Sequence, residues 1–397
     1  MSAQNLQNFR VDIIIPVYNR LSFLPETIES VFSQTFSNWH LIIVDDGSQE
    51  DVSSLIADYL QNDRVEIIRQ NNQGNAAARN NGICTGSSCY VALLDSDDIW
   101  LPEFLEACLQ ILENETKVDV VFTGFIHMDA LGQPFPEGTM FHPKSGNLLF
   151  ELLMGMPLLP SSALIRRSCF ERWGLFTPGM DDWELWLRFA LHGCLFRGID
   201  QPLIRYRLHD QNYNLAWDER RKIHFQMLEH FFQTPGLPEE ILALKPNALG
   251  WQHFIFSLLA WKIGRDSDAL NELSSAMKCY PKLFNHLDAY VRVACAHQPR
   301  GLEGTKHNFS FAEAERTLLC CLGELGLPNE LSSKCKQFTS RVYFTLGMLA
   351  YTHAQQYKNA VFYIGASFKA YPQIIFKERV VGFFLRSIIR WVKRDLR

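Results

Sequence analysis

The sequence lacks an excess of positive charge. Its 38 Lys and Arg residues are outnumbered by 43 Asp and Glu residues, which gives a formal net charge of -5. A protein that binds nucleic acid through a broad surface needs the opposite balance, because that surface must neutralise phosphates. We therefore expect no nucleic-acid partner.

The sequence also lacks an uninterrupted apolar run of about 18 residues, the length that a helix needs to cross a membrane. Its first residues, MSAQNLQNFR, do not have the basic-then-apolar layout of a secretory signal. The ten cysteines include no CxxC pair, which is typical of buried free thiols in a reducing compartment. We expect a cytoplasmic protein, either free or at the inner face of a membrane.

The composition that is present is that of a folded globular protein. Hydrophobic residues make up 47% and charged residues 20% of the chain, values that allow a large buried core. A length of 397 residues exceeds that of one ordinary domain, so we expect two domains.

The first half of the chain alternates short β-rich runs with helical ones, which predicts an α/β fold with a mostly parallel sheet flanked by helices. The predicted strands are Val11 to Ile15, His40 to Val44, Val65 to Arg69, Tyr90 to Leu94 and Val118 to Thr123. The predicted helices are Leu21 to Gln34, Asp51 to Gln61, Asn75 to Cys84 and Pro102 to Leu112. Polar residues follow several strands, at the sheet edge where such folds bind ligands.

After Asn214 the pattern becomes helical almost throughout, which predicts one domain over residues 1–215 and an all-α domain over residues 216–397. Two segments of the second domain are alike: AWKIGRDSDALNELSSAMKCYP and AYTHAQQYKNAVFYIGASFKAYP. Each resembles a tetratricopeptide repeat, a helix pair that stacks on its neighbours and offers a surface to a protein partner. A plain helical bundle is the alternative.

An acidic cluster, Asp95-Ser96-Asp97-Asp98, follows the predicted strand that ends at Leu94. Three carboxylates within four residues repel one another, so a cation or hydrogen-bond donors must compensate them. Mg2+ or Mn2+ would do so through oxygen ligands. Taken alone, such a cluster is more commonly a helix cap.

Four further motifs accompany the cluster: VDIIIPVYN from Val11, LIIVDDGS from Leu41, GNAAARNNG from Gly74 and DDWELWLR from Asp181. In this order and at these spacings the set resembles the inverting family 2 glycosyltransferases, over about residues 10–213. The resemblance implies a GT-A fold for the first domain. It also implies a nucleoside diphosphate sugar as donor, with a uridine-based one expected.

The resemblance assigns a role to individual residues. The donor nucleotide would be bound by seven of them: Pro16, Val17, Tyr18, Asp46, Arg79, Asp95 and Ser96. The divalent metal would be held by Asp97, Asp98 and His209, with the choice between the two aspartates open. Arg205 and Arg207 are further candidates for holding the diphosphate. Gly74 and Gly82 are interpreted as the residues that let the chain enter and leave a helix.

Inversion requires a base that takes the acceptor proton while the hydroxyl attacks from the face opposite the diphosphate. The resemblance assigns this role to Asp182. Asp181 stands where the family usually has glutamate, so Asp181 and Glu184 remain alternative bases, and Asp181 and Trp183 are candidate acceptor contacts. Trp186 is interpreted as a core residue. The acceptor would be a sugar, a lipid-linked molecule or a protein.

The last predicted helix is basic and amphipathic. Arg386, Arg390, Lys393 and Arg397 recur at the spacing of one helical face. Residues 377–397 therefore either contact a membrane surface or cap the helical domain. Two alternatives to a glycosyltransferase are a nucleotidyltransferase of related fold and a noncatalytic scaffold. The loop PVYNRLSF lacks the glycine-rich, basic character expected of the first, and retention of Asp46, Asp95, Asp97 and Asp182 argues against the second.

Overall fold

The computed structural model describes residues 10–19, 21–134, 144–155, 158–180, 182–208, 217–285, 287–296, 310, 314–317, 335–352, 356–372 and 380–395. The chain divides into two compact units, Met1–Pro235 and Gly236–Arg397. The division follows the helix Trp217–Phe232, which packs against the preceding helix of the first unit. Among the described residues, no helix combines the length and apolar character needed to pass through a bilayer.

The first unit is built on one mixed sheet of eight strands. These are β1 Val11–Val17, β2 Trp39–Asp45, β3 Val65–Arg69, β4 Tyr90–Leu93, β5 Ile99–Trp100, β6 Val120–Met128, β7 Ala163–Arg166 and β8 Phe196–Arg207. Their order is β3-β2-β1-β4-β7-β6-β8-β5. The neighbours among β1 to β4 are parallel, as are β6 and β8, whereas β7 and β5 pair antiparallel with their neighbours. The predicted mixed α/β class is confirmed.

Helices follow the strands in the order that the sequence predicts. They are α1 Leu24–Phe32, α2 Val52–Leu55, α3 Asn75–Thr85, α4 Phe104–Asn114, α5 Leu149–Leu153, α6 Arg167–Trp173, α7 Asp182–Leu191 and α8 Trp217–Phe232. Short 3-10 turns lie at Tyr59–Gln61 and Pro160–Ser162. The predicted helix Asp51 to Gln61 is therefore two short pieces instead of one.

The central strands are buried on both faces. Every residue of β1 and β2 is buried, as their continuous apolar character predicts. Helix α3 lies close to this layer, because a Cβ on Gly82 would approach Ile14 Cγ2 to 2.5 Å. The interpretation of Gly82 as a helix exit is wrong, since α3 continues to Thr85. Its function is to let helix and sheet approach closely.

One buried acid stands at the amino end of β1. Asp12 is 1% exposed and accepts hydrogen bonds from the Ser88 amide and hydroxyl at 2.8 and 2.7 Å and from Arg167 Nη2 at 2.6 Å. Burial acts to raise the pKa of Asp12, but the neighbouring His40 ring, the hydrogen bonds from Ser88 and the charge of Arg167 outweigh it, so that the pKa is lowered. These contacts join the amino end of β1 to the beginning of α6. They lie at the opposite end of β1 from its carboxyl end.

The second unit is helical in its described part. Its helices are Glu239–Leu242, Lys245–Lys262, Asp266–Cys279, Leu287–Ala294, Cys335–Thr352, Tyr357–Ala370 and Val380–Asp395. Each of the two similar sequence segments covers the end of one helix and the whole of the next: the first joins Lys245–Lys262 to Asp266–Cys279, and the second joins Cys335–Thr352 to Tyr357–Ala370. Their resemblance to tetratricopeptide repeats stays a prediction.

Candidate functional site

A cavity of about 510 Å³ opens where β1, β2 and β4 end. Parallel strands bring their carboxyl ends to one edge, and the order β2-β1-β4 makes this the place where the strand order reverses. The cavity is lined by Pro16, Val17, Tyr18, Asp46, Asn72, Gly74, Asn75, Ala78, Arg79, Asp95, Ser96, Asp97, Leu159, Pro160, Asp182 and Tyr206. All seven predicted donor-binding residues are in this set, together with Asp97 and Asp182.

Asp46 lies directly after β2 and is held firmly. Its Oδ1 accepts hydrogen bonds from Gln70 Nε2 at 2.7 Å and from the Gln73 amide at 2.9 Å. Its Oδ2 accepts one from the Gly74 amide at 2.8 Å. Gly74 has φ 88°, a conformation that favours glycine, and it precedes α3. Asp46 thus fixes the loop that leads into α3 while its carboxylate remains at the cavity wall.

The acidic cluster divides between the cavity and the core. Asp95 and Asp97 line the cavity, whereas Asp98 does not. The Asp98 carboxylate is fully buried and accepts hydrogen bonds from Ser161 Oγ at 2.6 Å and from the Arg207 amide at 3.1 Å. Burial and the nearby charges of Asp97 and Asp95 raise the pKa of Asp98 well above its usual value. The two candidate metal ligands in the cluster, Asp97 and Asp98, therefore have different surroundings, and of these two only Asp97 lines the cavity.

Three residues hold this turn in place, and sequence patterns did not indicate the first two, Ser161 and Thr27. Ser161 accepts a hydrogen bond from the Asp95 amide at 3.1 Å in addition to its bond to Asp98. Thr27 Oγ1, on α1, is 3.0 Å from the Ser96 carbonyl and 2.9 Å from the Asp98 carbonyl. All of these partners are distant in sequence, and a lone Ser or Thr carries no recognisable signal.

Arg207 is the third of these residues. It is 1% exposed, and its Nε donates to the Asp97 carbonyl at 2.8 Å while Nη2 pairs with Glu26 at 2.6 Å. Its Nη1 donates to the Ala130 carbonyl at 3.1 Å. The guanidinium is therefore occupied by the protein itself, which corrects its interpretation as a diphosphate ligand. Arg205 is not among the residues that line the cavity.

Arg79 is a buried cation at the cavity wall. It is 4% exposed, and its Nη2 lies 2.6 Å from Asp95 Oδ1 while Nη1 lies 3.9 Å from Asp182 Oδ1. Its guanidinium carbon is 5.3 Å from the centre of the Phe176 ring, a contact that orients the group. Arg79 thus links the acidic turn after β4 to the beginning of α7.

The two described acids of the DDWE motif have different environments. Asp182 begins α7, lines the cavity and has a side chain that is 31% exposed. Glu184 pairs with Arg188 Nε at 2.8 Å and accepts a hydrogen bond from Thr177 Oγ1 at 2.9 Å, and it does not line the cavity. Position 181 lies outside the described residues. Of the two described candidate bases, Asp182 lines the cavity and Glu184 does not.

The tryptophans of the motif pack within the protein. Trp183 donates its indole N–H to the Leu152 carbonyl at 2.8 Å, and its ring lies 5.6 Å from that of His224. It is not a lining residue of the cavity, so its proposed acceptor contact finds no support in this geometry. Trp186 is 1% exposed, as the core interpretation requires.

The described residues contain no preformed cluster of three or more His, Cys, Asp or Glu side chains suited to a metal ion. His209, the third predicted ligand, lies outside the described residues. A divalent ion held by one or two carboxylates would complete its shell with water and with oxygens of a bound phosphate.

A family model described as glycosyl transferase family 2 matches residues 12–174. An uncharacterized glycosyltransferase of Rickettsia bellii (strain RML369-C) is 32% identical over 215 residues, which cover 53% of this chain and 31% of that protein. The putative glycosyltransferase EpsE of Bacillus subtilis (strain 168) is 29% identical over 211 residues, 51% of this chain and 74% of that protein. The chain spans about a third of the length of the first Rickettsia relatives that it matches.

The fold also has a counterpart among solved structures. Residues 1–349 of S. aureus TarS, in complex with UDP-GlcNAc, match with a TM-score of 0.53 at 16% identity, over 72% of this chain and 85% of that chain. Together with the family match, this likeness confirms the predicted GT-A type of fold. The matches do not favour a nucleotidyltransferase or a noncatalytic scaffold.

Proposed function

Because residues 12–174 belong to glycosyltransferase family 2, we propose that this chain transfers a sugar from a nucleoside diphosphate sugar to an acceptor hydroxyl, with inversion. One observation carries the proposal. The turns after β2 and β4, helix α3 and the beginning of α7 bring four acids and Arg79 to a single cavity of about 510 Å³. That volume lies within the roughly 300 to 1,000 Å³ of ordinary small-molecule sites.

The nucleoside binds between the loop after β1 and Asp46. A carboxylate has about four acceptor positions, and three hydrogen bonds from the protein hold Asp46. At least one position is thus left for a ring N–H of the base, and the carboxylate is oriented before the ligand arrives. Tyr18, which is 45% exposed, offers an aromatic face nearby. A uridine diphosphate sugar is the first donor to test, because the S. aureus chain of the same fold is named in complex with UDP-GlcNAc.

The diphosphate lies toward Arg79 and the acidic turn. The buried guanidinium is already balanced by Asp95, so a bound phosphate competes for a cation that is held in a fixed position. Mg2+ or Mn2+ fits the donors present, since such ions take one or two carboxylates and complete their shell with phosphate oxygens and water. Asp97, with Asp95 beside it, would hold the ion, whereas Asp98 is turned into the core. When bound, the metal stabilises negative charge on the departing diphosphate.

Asp182 acts as the general base. Its position at the first turn of α7 favours the ionised carboxylate, because the helix N-terminus carries partial positive charge. The carboxylate takes the proton of the acceptor hydroxyl while the oxygen forms a bond to the anomeric carbon. The bond to the diphosphate breaks on the opposite face, which inverts the configuration.

Donor binding tests the proposal most directly. We expect UDP to raise the melting temperature of the full chain in the presence of Mn2+, and chelation of the metal to reduce the shift. Asp97→Ala should lower the affinity for UDP in Mn2+ by about tenfold or more while leaving the metal-free affinity little changed. Asp63→Ala, at an exposed aspartate outside the cavity, is the matched control. Equal UDP affinity in both variants would remove Asp97 as a metal ligand, and absence of binding by any nucleoside diphosphate would overturn the proposed function.

A further inference from the structure

The last described helix, Val380–Asp395, has one face that packs on its own unit. The Phe384 ring lies 5.1 Å from that of Phe368, and the Phe383 ring lies 5.6 Å from that of Tyr351. Ser387 is fully buried, and its hydroxyl donates to the Phe383 carbonyl at 2.7 Å. The expected capping contact is therefore present, and it uses only part of the surface of the helix.

The outer face carries apolar and basic side chains in two adjacent rows. Leu385 and Ile389, one turn apart, are each 53% exposed. Arg386 and Arg390, also one turn apart, are exposed beside them. In the sequence the next positions of the two rows are Val392 and Lys393. An apolar row bordered by cations is the arrangement of helices that lie in a lipid interface.

Both arginines of this face lie against aromatic rings. The guanidinium carbon of Arg390 is 5.0 Å from the centre of the Tyr351 ring, and that of Arg386 is 4.7 Å from the centre of the Phe383 ring. Such contacts fix the stem of the side chain against aromatic rings. No carboxylate among the described residues pairs with either arginine in a salt bridge shorter than 4 Å.

We propose that this face, defined by Leu385, Arg386, Ile389 and Arg390, binds the surface of a bilayer that contains anionic phospholipid. Charge complementarity selects this occupant. Residues 386–397 contain five basic residues and one acidic residue, RSIIRWVKRDLR, although the whole chain has a net charge of -5. A second copy of the chain would bring like charges together, whereas anionic head groups neutralise them while the aliphatic side chains enter the interface. This surface is independent of the cavity in the first unit.

Vesicle flotation of the full chain tests the proposal. At low salt the protein should float with vesicles of phosphatidylglycerol and phosphatidylcholine, stay behind with phosphatidylcholine alone, and dissociate as salt is raised. Leu385→Ser combined with Ile389→Ser should lower the partition coefficient roughly tenfold or more, because two aliphatic side chains leave the interface. Arg386→Gln should lower it by roughly fivefold on anionic vesicles.

Ile263→Ser is the matched control, because Ile263 is 56% exposed and belongs to the same unit but to a different element. It should float as the unmodified chain does. Circular dichroism and melting curves verify that each variant is folded. Failure of the unmodified chain to float with anionic vesicles would overturn the proposal, as would equal recovery of the Leu385→Ser/Ile389→Ser variant and the control. A dimer in light scattering that the same double substitution dissociates would show instead that the face joins two copies of the chain.

Discussion

Asp182→Asn and Glu184→Gln should separate catalysis from stability, because these two acids of α7 have different partners. Asp182 lines the cavity, where its Oδ1 lies 3.9 Å from Arg79 Nη1. Glu184 is buried against Arg188 at 2.8 Å and Thr177 at 2.9 Å. Each substitution replaces one carboxylate oxygen by an NH2 group of nearly the same size. The comparison therefore isolates the charge and the proton affinity of each side chain from its shape.

For Asp182→Asn we expect the rate of sugar transfer to fall by about 10² to 10⁴, the range that a positioned general base contributes. This corresponds to about 3 to 5 kcal/mol of activation free energy. The folding free energy should change by less than about 1 kcal/mol, since the side chain is partly exposed. Donor affinity should also change little, because the amide keeps the shape of the cavity wall.

For Glu184→Gln we expect the opposite result. Removal of one partner from a buried ion pair costs about 3 to 5 kcal/mol. Arg188 keeps its bonds to the carbonyls of Trp173, Gly174 and Leu175, which favours the lower end of that range. A loss of about 3 kcal/mol lowers the melting temperature of a unit of this size by roughly 6 to 12 °C. The transfer rate per folded molecule should stay within about threefold of the unmodified chain.

The assays are release of nucleoside diphosphate under single-turnover conditions, donor binding by calorimetry, and thermal unfolding, each on both variants at a temperature where both are folded. Unchanged turnover of Asp182→Asn would remove Asp182 as the base. A folded Glu184→Gln protein that binds donor but no longer transfers would assign the base to Glu184, and the account of α7 given above would then be wrong.

Two further substitutions test the supports of the site and of the sheet. Ser161→Ala removes the hydrogen bond to Asp98 and leaves the Asp95 amide without its acceptor. Chemical unfolding should therefore show that the free energy of unfolding falls by about 1 to 3 kcal/mol, and calorimetry should show a severalfold weaker donor affinity. Normal donor affinity would show that the turn keeps its shape without Ser161. Asp12→Asn should destabilise the protein by about 3 kcal/mol near neutral pH, because the ionised group is paired with Arg167. Because the pKa of Asp12 is lowered in the folded protein, its contribution to stability is complete above about pH 4 and is lost as the pH falls through the folded-state pKa. In urea titrations the difference in stability between Asp12→Asn and the unmodified chain should therefore shrink in acid. A difference that does not shrink would contradict the stabilising role of the ionised Asp12.

Strands β1 to β4 and β6 followed from local patterns, whereas the other three strands of the sheet did not. Strands β1 and β2 are apolar along their whole length, and the structure extends the predicted bounds by only one or two residues at their ends. Strands β5, β7 and β8 were not predicted. The first two have two and four residues, too short for a periodic signal, and β8 alternates irregularly between buried and exposed positions because its register with β6 shifts near Gly124.

The candidate site was also predictable from the sequence only in part. The position of Asp46 and Asp95 after neighbouring strands predicted that these two acids lie at one edge, because the carboxyl ends of parallel strands meet there. Only the family resemblance predicted that Asp182 joins them. What the motifs could not distinguish was Asp97 from Asp98, because adjacent residues of the same type carry the same local signal. The direction of a side chain in a turn depends on the residues that it contacts in the folded protein.

The sequence by itself thus determined the class of fold, the resemblance to a family and the set of acids, because hydrophobic periodicity and ordered motifs are properties of neighbouring residues. The tertiary structure alone decided which of those acids face the cavity, since Ser161, Thr27 and Arg207 reach the acidic turn from elements 60 to 110 residues away. It also decided which face of the last helix stays exposed. Contacts between distant segments depend on the three-dimensional path of the chain, and no local pattern records them.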